Sequence, residues 1–321
     1  MKSMSTNEVD ISVIMATYNP SWDKCRFTLD SIIEQSGVNF ELIITDDGSS
    51  ENLFDRIDEY LKSKDFSNYR LVGNKTNQGT VKNYYSGILY AKGKYLKLIS
   101  PGDALFNETT LAKWMNFLSE SGKTWSFGNS VFISGGENNE VVEVPALPRV
   151  IDCYTSMKED TCRWNYVVLE DVALGAAILC ERQIFAEYLE KFVGTVLFAE
   201  DVAFSAMMFN GYVPAYYDET VMFYEFGSGV STGEKKWLER IHKDWRMAEK
   251  IIVSAEDCDK LQLKMKKALL SVNSGSDTKK KISRNLQKGG VKKVIKHRLS
   301  PRMSVVDVSY CGKWWNNKGK S

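Results

Sequence analysis

Short apolar runs alternate with stretches of helical period along the first hundred residues. Residues 11–16, Ile-Ser-Val-Ile-Met-Ala, suit a strand buried on both faces. The run breaks at Pro20, and Ser21 is placed to cap a helix with Cys25, Leu29, Ile32 and Ile33 inward. Residues 40–45 form a second apolar run, so the pattern is β-α-β and predicts a parallel pair. The rhythm continues with a helix over 52–62, where Leu53, Ile57 and Leu61 recur at every fourth position, and a short strand at 69–72. A helix over 79–91 and a buried strand over 95–99 follow, the latter running into Ser100-Pro101-Gly102-Asp103.

The pattern loosens after that point. A helix is expected over 107–120 with Leu111, Met115 and Leu118 inward, then strands over 125–132 and 140–144 about a turn-rich link. Residues 150–168 have no clear period and are expected to be irregular, as binding loops often are. The small apolar run 175–179 precedes a helix from about Glu181, and Phe198-Ala-Glu-Asp opens another with Val202, Ala203, Ala206 and Phe209 on one face. Alternation returns at 213–217 and 221–224, a glycine-rich loop spans 227–233, and the chain beyond Lys235 reads as helical.

With 321 residues the chain can bury a large core. No run reaches the roughly 20 apolar residues of a membrane helix, and the polar start, residues 1–10, is not expected to be a signal peptide. Six scattered cysteines without a Cys-x-x-Cys pair are expected to be reduced thiols of a cytoplasmic protein. His242 and His297 are the only histidines, which leaves little room for histidine catalysis or a His-rich metal site. Charge is uneven: residues 260–321 hold 17 Lys and Arg against two acids, a net +15, so residues 1–259 carry −14. This division predicts an acidic catalytic body with a basic extension that meets something anionic.

Candidate chemistry starts at Asp46-Asp47, which end the second strand. Open parallel sheets bind ligands at that end of their strands. Two adjacent like charges are costly unless something compensates them, so the pair is either a ligand site or a capped turn beside a solvated acid.

Further motifs then agree in order and spacing: Ile11 to Asn19, Asp46-Asp47-Gly48-Ser49, Asn77-Gln78-Gly79, Gly93-Lys94-Tyr95-Leu96, Pro101-Gly102-Asp103 and Ala199-Glu200-Asp201. On these the chain resembles the family 2 glycosyltransferases over about residues 10–233. The resemblance implies an α/β GT-A fold, a Rossmann-like mixed sheet flanked by helices, and sugar transfer with inversion. Its expected divisions are a GT-A domain over 1–233, with 10–105 as nucleotide-sugar half and 106–233 as acceptor half, and a basic helical extension over 234–321.

The resemblance implies site residues in turn. Thr17, Tyr18, Asn19, Asp46 and Asp47 would hold the nucleotide, with Tyr18 on the base, Asp47 accepting from uracil, and Asp46 fixing the turn. Gly102 and Asp103 lie where the family carries a carboxylate cluster for Mn²⁺ or Mg²⁺, and Asp103 is the metal ligand implied here. Ser100 and Gly102 depart from that cluster, which leaves open whether Asp103 binds metal, leaves the task to cations, or only caps a turn. Asp201 is the implied catalytic base, kept ionised by a helix dipole, with Glu200 orienting the acceptor or the loop. Glu170-Asp171 has the same dipeptide but comes too early. The loop after Tyr224 lacks the family's histidine, so amides of Gly227, Ser228 and Gly229, with Ser231, would either grip the diphosphate or form a linker. Lys82 and Asn83 are candidate donor contacts, a solvated Lys82 being the alternative.

The implied reaction moves one sugar from a UDP-sugar to a hydroxyl of a glycan, on a lipid carrier in bacterial surface polysaccharide synthesis. No Gln-x-x-Arg-Trp follows Asp201, which argues against a processive synthase. Around residues 279–299 apolar positions recur at helical spacing among cations, the pattern of a helix on an anionic membrane, and Trp314-Trp315 would suit its interface. The tail would then hold the protein to the inner face of the plasma membrane; the alternative is a cap packed on the acidic body. Nucleic acid is a weaker partner, because no stacking platform accompanies the charge. A non-catalytic nucleotide-sugar-binding relative stays open as a rival. A nucleotidyltransferase or dehydrogenase would want a glycine-rich loop where Thr17-Tyr18-Asn19-Pro20 stands.

Overall fold

The computed structural model describes residues 8–135, 140–227, 235–270 and 301–316, the side chains of 235–238 excepted. Eight strands form one mixed sheet: β1 (Ile11–Thr17), β2 (Phe40–Asp46), β3 (Tyr69–Gly73), β4 (Tyr95–Ile99), β5 (Ala104–Leu105), β6 (Trp125–Ser134), β7 (Ile178–Glu181) and β8 (Ala215–Phe226), in the order β3-β2-β1-β4-β7-β6-β8-β5. The first four run parallel; β7 is antiparallel to both β4 and β6, β6 is parallel to β8, and β5 closes antiparallel on β8.

Strict alternation along β1 divides the core. Ile14, with Ile43, Leu96 and Leu98, packs against Val81, Tyr84 and Ile88 of α3 (Thr80–Ile88). Val13 and Met15, with Leu42 and Ile44, face Leu29 and Ile32 of α1 (Trp22–Ile33), Ile57 and Leu61 of α2 (Phe54–Ser63), and Leu111, Trp114 and Leu118 of α4 (Thr110–Ser121). Side chains alternate across a strand, so both faces of this sheet need cover. The Ser21 side chain accepts from Lys24 N–H at the start of α1, as the sequence predicted.

Later elements depart from the sequence reading. Residues 150–168 contain α5 (Asp152–Thr155) and α6 (Glu159–Val168). Every residue from Cys162 to Val168 is buried, Arg163 and Asn165 among them, so beyond its exposed first turn α6 shows no amphipathic period. The strand expected over 140–144 is reduced to a single bridge between Val141 and Ile133. The two runs expected over 213–217 and 221–224 merge into one continuous strand, β8, which begins at Ala215 and leaves Val213 and Pro214 outside it. Helices α7 (Arg182–Glu190) and α8 (Val202–Phe209) follow β7, and α9 (Lys235–Val253) and α10 (Lys260–Leu270) pack on α8 and α6.

The end of the chain also differs. The basic stretch 279–299 lies outside the described residues. Trp314 and Trp315 do not face outward: both lie in α11 (Lys313–Asn316) against the far edge of the sheet. Trp314 is 3% exposed and its Nε1 donates to Leu105 O at 3.1 Å; the Trp315 ring stacks on Phe223 at 4.4 Å. A buried indole needs a partner for its N–H, and the free carbonyl of short strand β5 provides it. These tryptophans anchor the chain end and do not mark a membrane interface.

Candidate active site

The nucleotide-side residues meet at the carboxyl ends of β1 and β2. Asp46 is buried and accepts from Thr17 Oγ1 at 3.0 Å, Ser49 Oγ at 2.6 Å and Ser49 N–H at 2.8 Å. Asp47, equally buried, accepts from Asn74 Nδ2 at 3.1 Å, Gln78 N–H at 3.0 Å and Gly79 N–H at 2.8 Å. Neutral donors therefore compensate the paired charges, and Asp47 shapes the turn that opens α3. Asn19, at φ 43°, gives its N–H to Ser49 Oγ and takes the Ser50 N–H on its side chain. Asn83 is buried, with its amide on Thr17 O at 3.1 Å, while Lys82 lies over the Tyr85 ring at 5.5 Å. Tyr18 is the exposed member, at 51%, with its ring open to a ligand.

Asp103 follows β4 and is 5% exposed; its Oδ1 accepts from Glu225 N–H at 3.0 Å. Burial raises its pKa to about 7, against the opposing pull of Lys97. Gly102 has φ 102°, and a Cβ there would stand 2.0 Å from Glu225 Oε2. The place of the missing cluster side chain is thus filled by Glu225, reaching over from β8. Lys24 on α1 pairs with Glu225 at 2.7 Å. No cluster of three metal-binding side chains occurs among the described residues. Two hard carboxylates still fit Mg²⁺ or Mn²⁺, which commonly take one or two from the protein and the rest from phosphate and water.

Glu200 and Asp201 stand at the start of α8, both only partly exposed. Asp201 is the N-cap residue, yet its side chain makes no capping hydrogen bond, so the carboxylate is not spent on the helix. Burial raises both pKa values, and the charge of Asp201 raises that of Glu200 further. At Asp201 desolvation beside an all-buried helix raises the pKa to about 6 against a hydrogen bond from its own backbone, which still leaves the carboxyl ionised near neutral pH. Such a shift brings a carboxylate closer to the basicity useful near neutral pH.

The Tyr84 hydroxyl joins the two halves. It donates to Ile99 O at 3.0 Å, lies 3.1 Å from Ser100 Oγ, and feels the charges of both Glu200 and Asp103. Lys97 is fully buried in β4 and donates to Ala176 O at 2.5 Å. That bond fixes the turn whose Gly175 lies against Asp201, where a Cβ would come within 3.2 Å of Asp201 Cβ. Its signal in the sequence was a lysine inside the apolar run Tyr-Leu-Lys-Leu-Ile. Nothing local flagged Glu225, Lys24 or Tyr84, which converge only through the sheet. Asp171 accepts from the N–H groups of Arg149 and Val150 and fixes a loop; its charge and that of Asp201 both act on Tyr166. Gly227 is exposed at φ 95°; Ser228, Gly229 and Ser231 lie outside the described residues.

Comparison with known proteins places this geometry in a family. Residues 12–169 match the model of glycosyl transferase family 2. A UDP-Glc:alpha-D-GlcNAc-diphosphoundecaprenol beta-1,3-glucosyltransferase, WfgD of Escherichia coli, is 23% identical over 141 residues, 44% of this chain and 52% of WfgD. The chain spans between 27% and 62% of the length of the curated relatives it matches. Staphylococcus aureus TarS in complex with UDP-GlcNAc superposes with a TM-score of 0.56 at 15% identity, over 90% of this chain and 78% of TarS. The mannosyltransferase PcManGT of Pyrobaculum calidifontis, with GDP-Man and Mn²⁺, has the same score and identity over 92% of this chain and 83% of its own. At that identity the likeness to the two structures establishes the fold, GT-A. The matched region, residues 12–169, is that of glycosyl transferase family 2, and the sheet is that of the GT-A fold.

Proposed function

We propose that the chain moves one sugar from a UDP-sugar to a hydroxyl of a lipid-linked glycan, inverting the anomeric carbon and releasing UDP. The observation that carries this reading is the Glu200–Asp201 pair. Both are partly buried, the Asp201 side chain makes no cap bond, and Tyr84 feels the charges of Glu200 and of Asp103. In this scheme Asp201 takes the acceptor proton while the sugar leaves UDP from the opposite face. Glu200, whose pKa is raised further, keeps its proton and orients the acceptor by donating a hydrogen bond.

Thr17, Tyr18, Asn19, Asp46 and Asp47 form the nucleotide wall, with Tyr18 on the base. A carboxylate has about four acceptor sites; three protein donors fill them on Asp47 because Gln78 N–H is shared between both oxygens, so a uracil imide would take the place of one of those two shared contacts. Asp103 and Glu225 would hold the divalent cation, which neutralises charge on the departing diphosphate when bound. Lys82 and Gly227 stand as further contacts to the donor. The relatives point the same way: WfgD is named for UDP-Glc and a diphosphoundecaprenol acceptor, TarS was solved with UDP-GlcNAc, and PcManGT with Mn²⁺. No helix among the described residues is long and apolar enough to cross a membrane. A cytoplasmic protein held to the inner membrane face by the basic stretch would still reach a lipid-linked acceptor.

The test is UDP release from a panel of UDP- and GDP-sugars with Mn²⁺, Mg²⁺ or chelator, with UDP binding measured alongside. Turnover of a UDP-sugar, enhanced by metal and abolished in Asp201→Asn, is expected. Absence of turnover with every donor, together with no UDP binding, would sink the reading. For the tail, replacing Lys279, Lys280, Lys281, Lys292, Lys293 and Lys296 with Gln spares α11, so retained sedimentation with anionic vesicles would exclude that address.

A further inference from the structure

We infer that Asp244 is a positioning residue for Asp201, so that the helices beyond residue 234 are a working part of the catalytic scaffold. The inference rests on Asp201 being the base proposed above. Asp244 lies on α9, 4% exposed, and one oxygen, Oδ2, accepts from two consecutive backbone groups: Leu197 N–H at 3.1 Å and Phe198 N–H at 2.6 Å. Those amides are three and four residues before Asp201, in the segment that leads into α8. One turn earlier on α9, Arg240 stacks on the Phe198 ring at 5.8 Å. Charge-assisted bonds are about twice as strong as neutral ones, and two of them from one carboxylate hold this stretch of backbone in place.

The same segment is fastened on its other side to the nucleotide wall. Val81 N–H at the start of α3 donates to Leu197 O at 3.1 Å. Gly79 permits that approach, because a Cβ there would lie 2.5 Å from Leu197 O. Gly79 N–H is in turn held by Asp47. At the far end of α8, Arg163 binds the carbonyls of Met208 and Phe209 and pairs with Asp259 just before α10, while Gln262 reaches Asn210. The extension thus grips both ends of the helix that presents Asp201. A general base must lie within hydrogen-bond reach of its proton, and a displacement near 1 Å can cost about a hundredfold in rate.

The test compares the full chain with Asp244→Ala, Asp244→Asn, Asp244→Glu and Asp201→Asn. UDP affinity is read by calorimetry, kcat and donor KM by UDP release from whichever UDP-sugar the panel shows to be turned over. Exchange of the Leu197 and Phe198 amides is read by hydrogen–deuterium exchange. In Asp244→Ala we expect kcat to fall about 10- to 100-fold, with UDP Kd and donor KM within about twofold, and both amides to exchange at least about tenfold faster. Asp244→Asn keeps the acceptor oxygen and should recover kcat to within about threefold. Asp244→Glu keeps the charge but moves it by one methylene; it should lower kcat with UDP affinity intact, and it serves if the alanine variant does not fold. Native kcat in both Asp244→Ala and Asp244→Glu, unchanged amide exchange, or parallel loss of UDP affinity overturns the inference. Full activity in Asp201→Asn would instead remove the base assignment, while amide exchange would still report the clamp.

Discussion

The proposed nucleotide wall and the proposed catalytic edge treat their carboxylates in opposite ways. Asp46 and Asp47 are more deeply buried than Glu200 and Asp201, yet each accepts three hydrogen bonds from nearby donors. Asp201 makes no side-chain cap bond, and at both Glu200 and Asp201 burial outweighs a hydrogen bond from the residue's own backbone, so their pKa values are raised. The first arrangement builds a rigid surface before any ligand arrives. The second leaves basicity for a proton from outside the protein, at some cost to stability. The fully bonded carboxylates shape the turn, and those with raised pKa values are the ones proposed for the chemistry.

The largest test of this division is Asp201→Asn, expected to lower kcat by about a thousandfold with UDP affinity within about twofold; an equal loss in both would merge the two regions. Asp47→Ala should act the other way. It strands three donors, weakens UDP binding about tenfold or more, and destabilises the fold by about 3 kcal/mol, as calorimetry and denaturant melts would show. A milder probe is pH. Asp201 must be ionised to accept a proton, so kcat should fall as pH drops through its raised pKa, near pH 6. A limb near pH 4 would mean that an ordinary, solvated carboxylate does the work. The smallest effect expected is in Glu200→Gln. A carboxyl whose pKa is raised on folding lends stability at low pH and loses it as pH climbs from 4.5 to about 8. The Gln variant should therefore be more stable than the native chain by about 1 kcal/mol at pH 8, an allowance reduced for partial exposure, and no more stable near pH 4.

Much of the fold was legible before the structure. β1 to β4, α1 to α4 and the cap at Ser21 follow from local period and turn chemistry, which act over a few residues. α6 was not legible, because beyond its first turn it is buried on all sides and shows no amphipathic face. Trp314 and Trp315 were misread for a related reason. Indoles among lysines suit a membrane interface as well as they suit a sheet edge, and only the free carbonyl of Leu105 and the ring of Phe223 decide between them.

The sequence by itself determined the family, the parallel half of the sheet and the positions of Asp46, Asp47, Asp103 and Asp201, because each sits at a strand or helix end marked by its neighbours. Only the tertiary structure decided what those carboxylates are free to do. The acceptors and donors that settle it, among them Glu225 at Gly102, Tyr84 between the halves and Asp244 under the catalytic segment, come from far along the chain. A carboxylate's basicity depends on burial and on its nearest charges, and neither quantity is a property of local sequence.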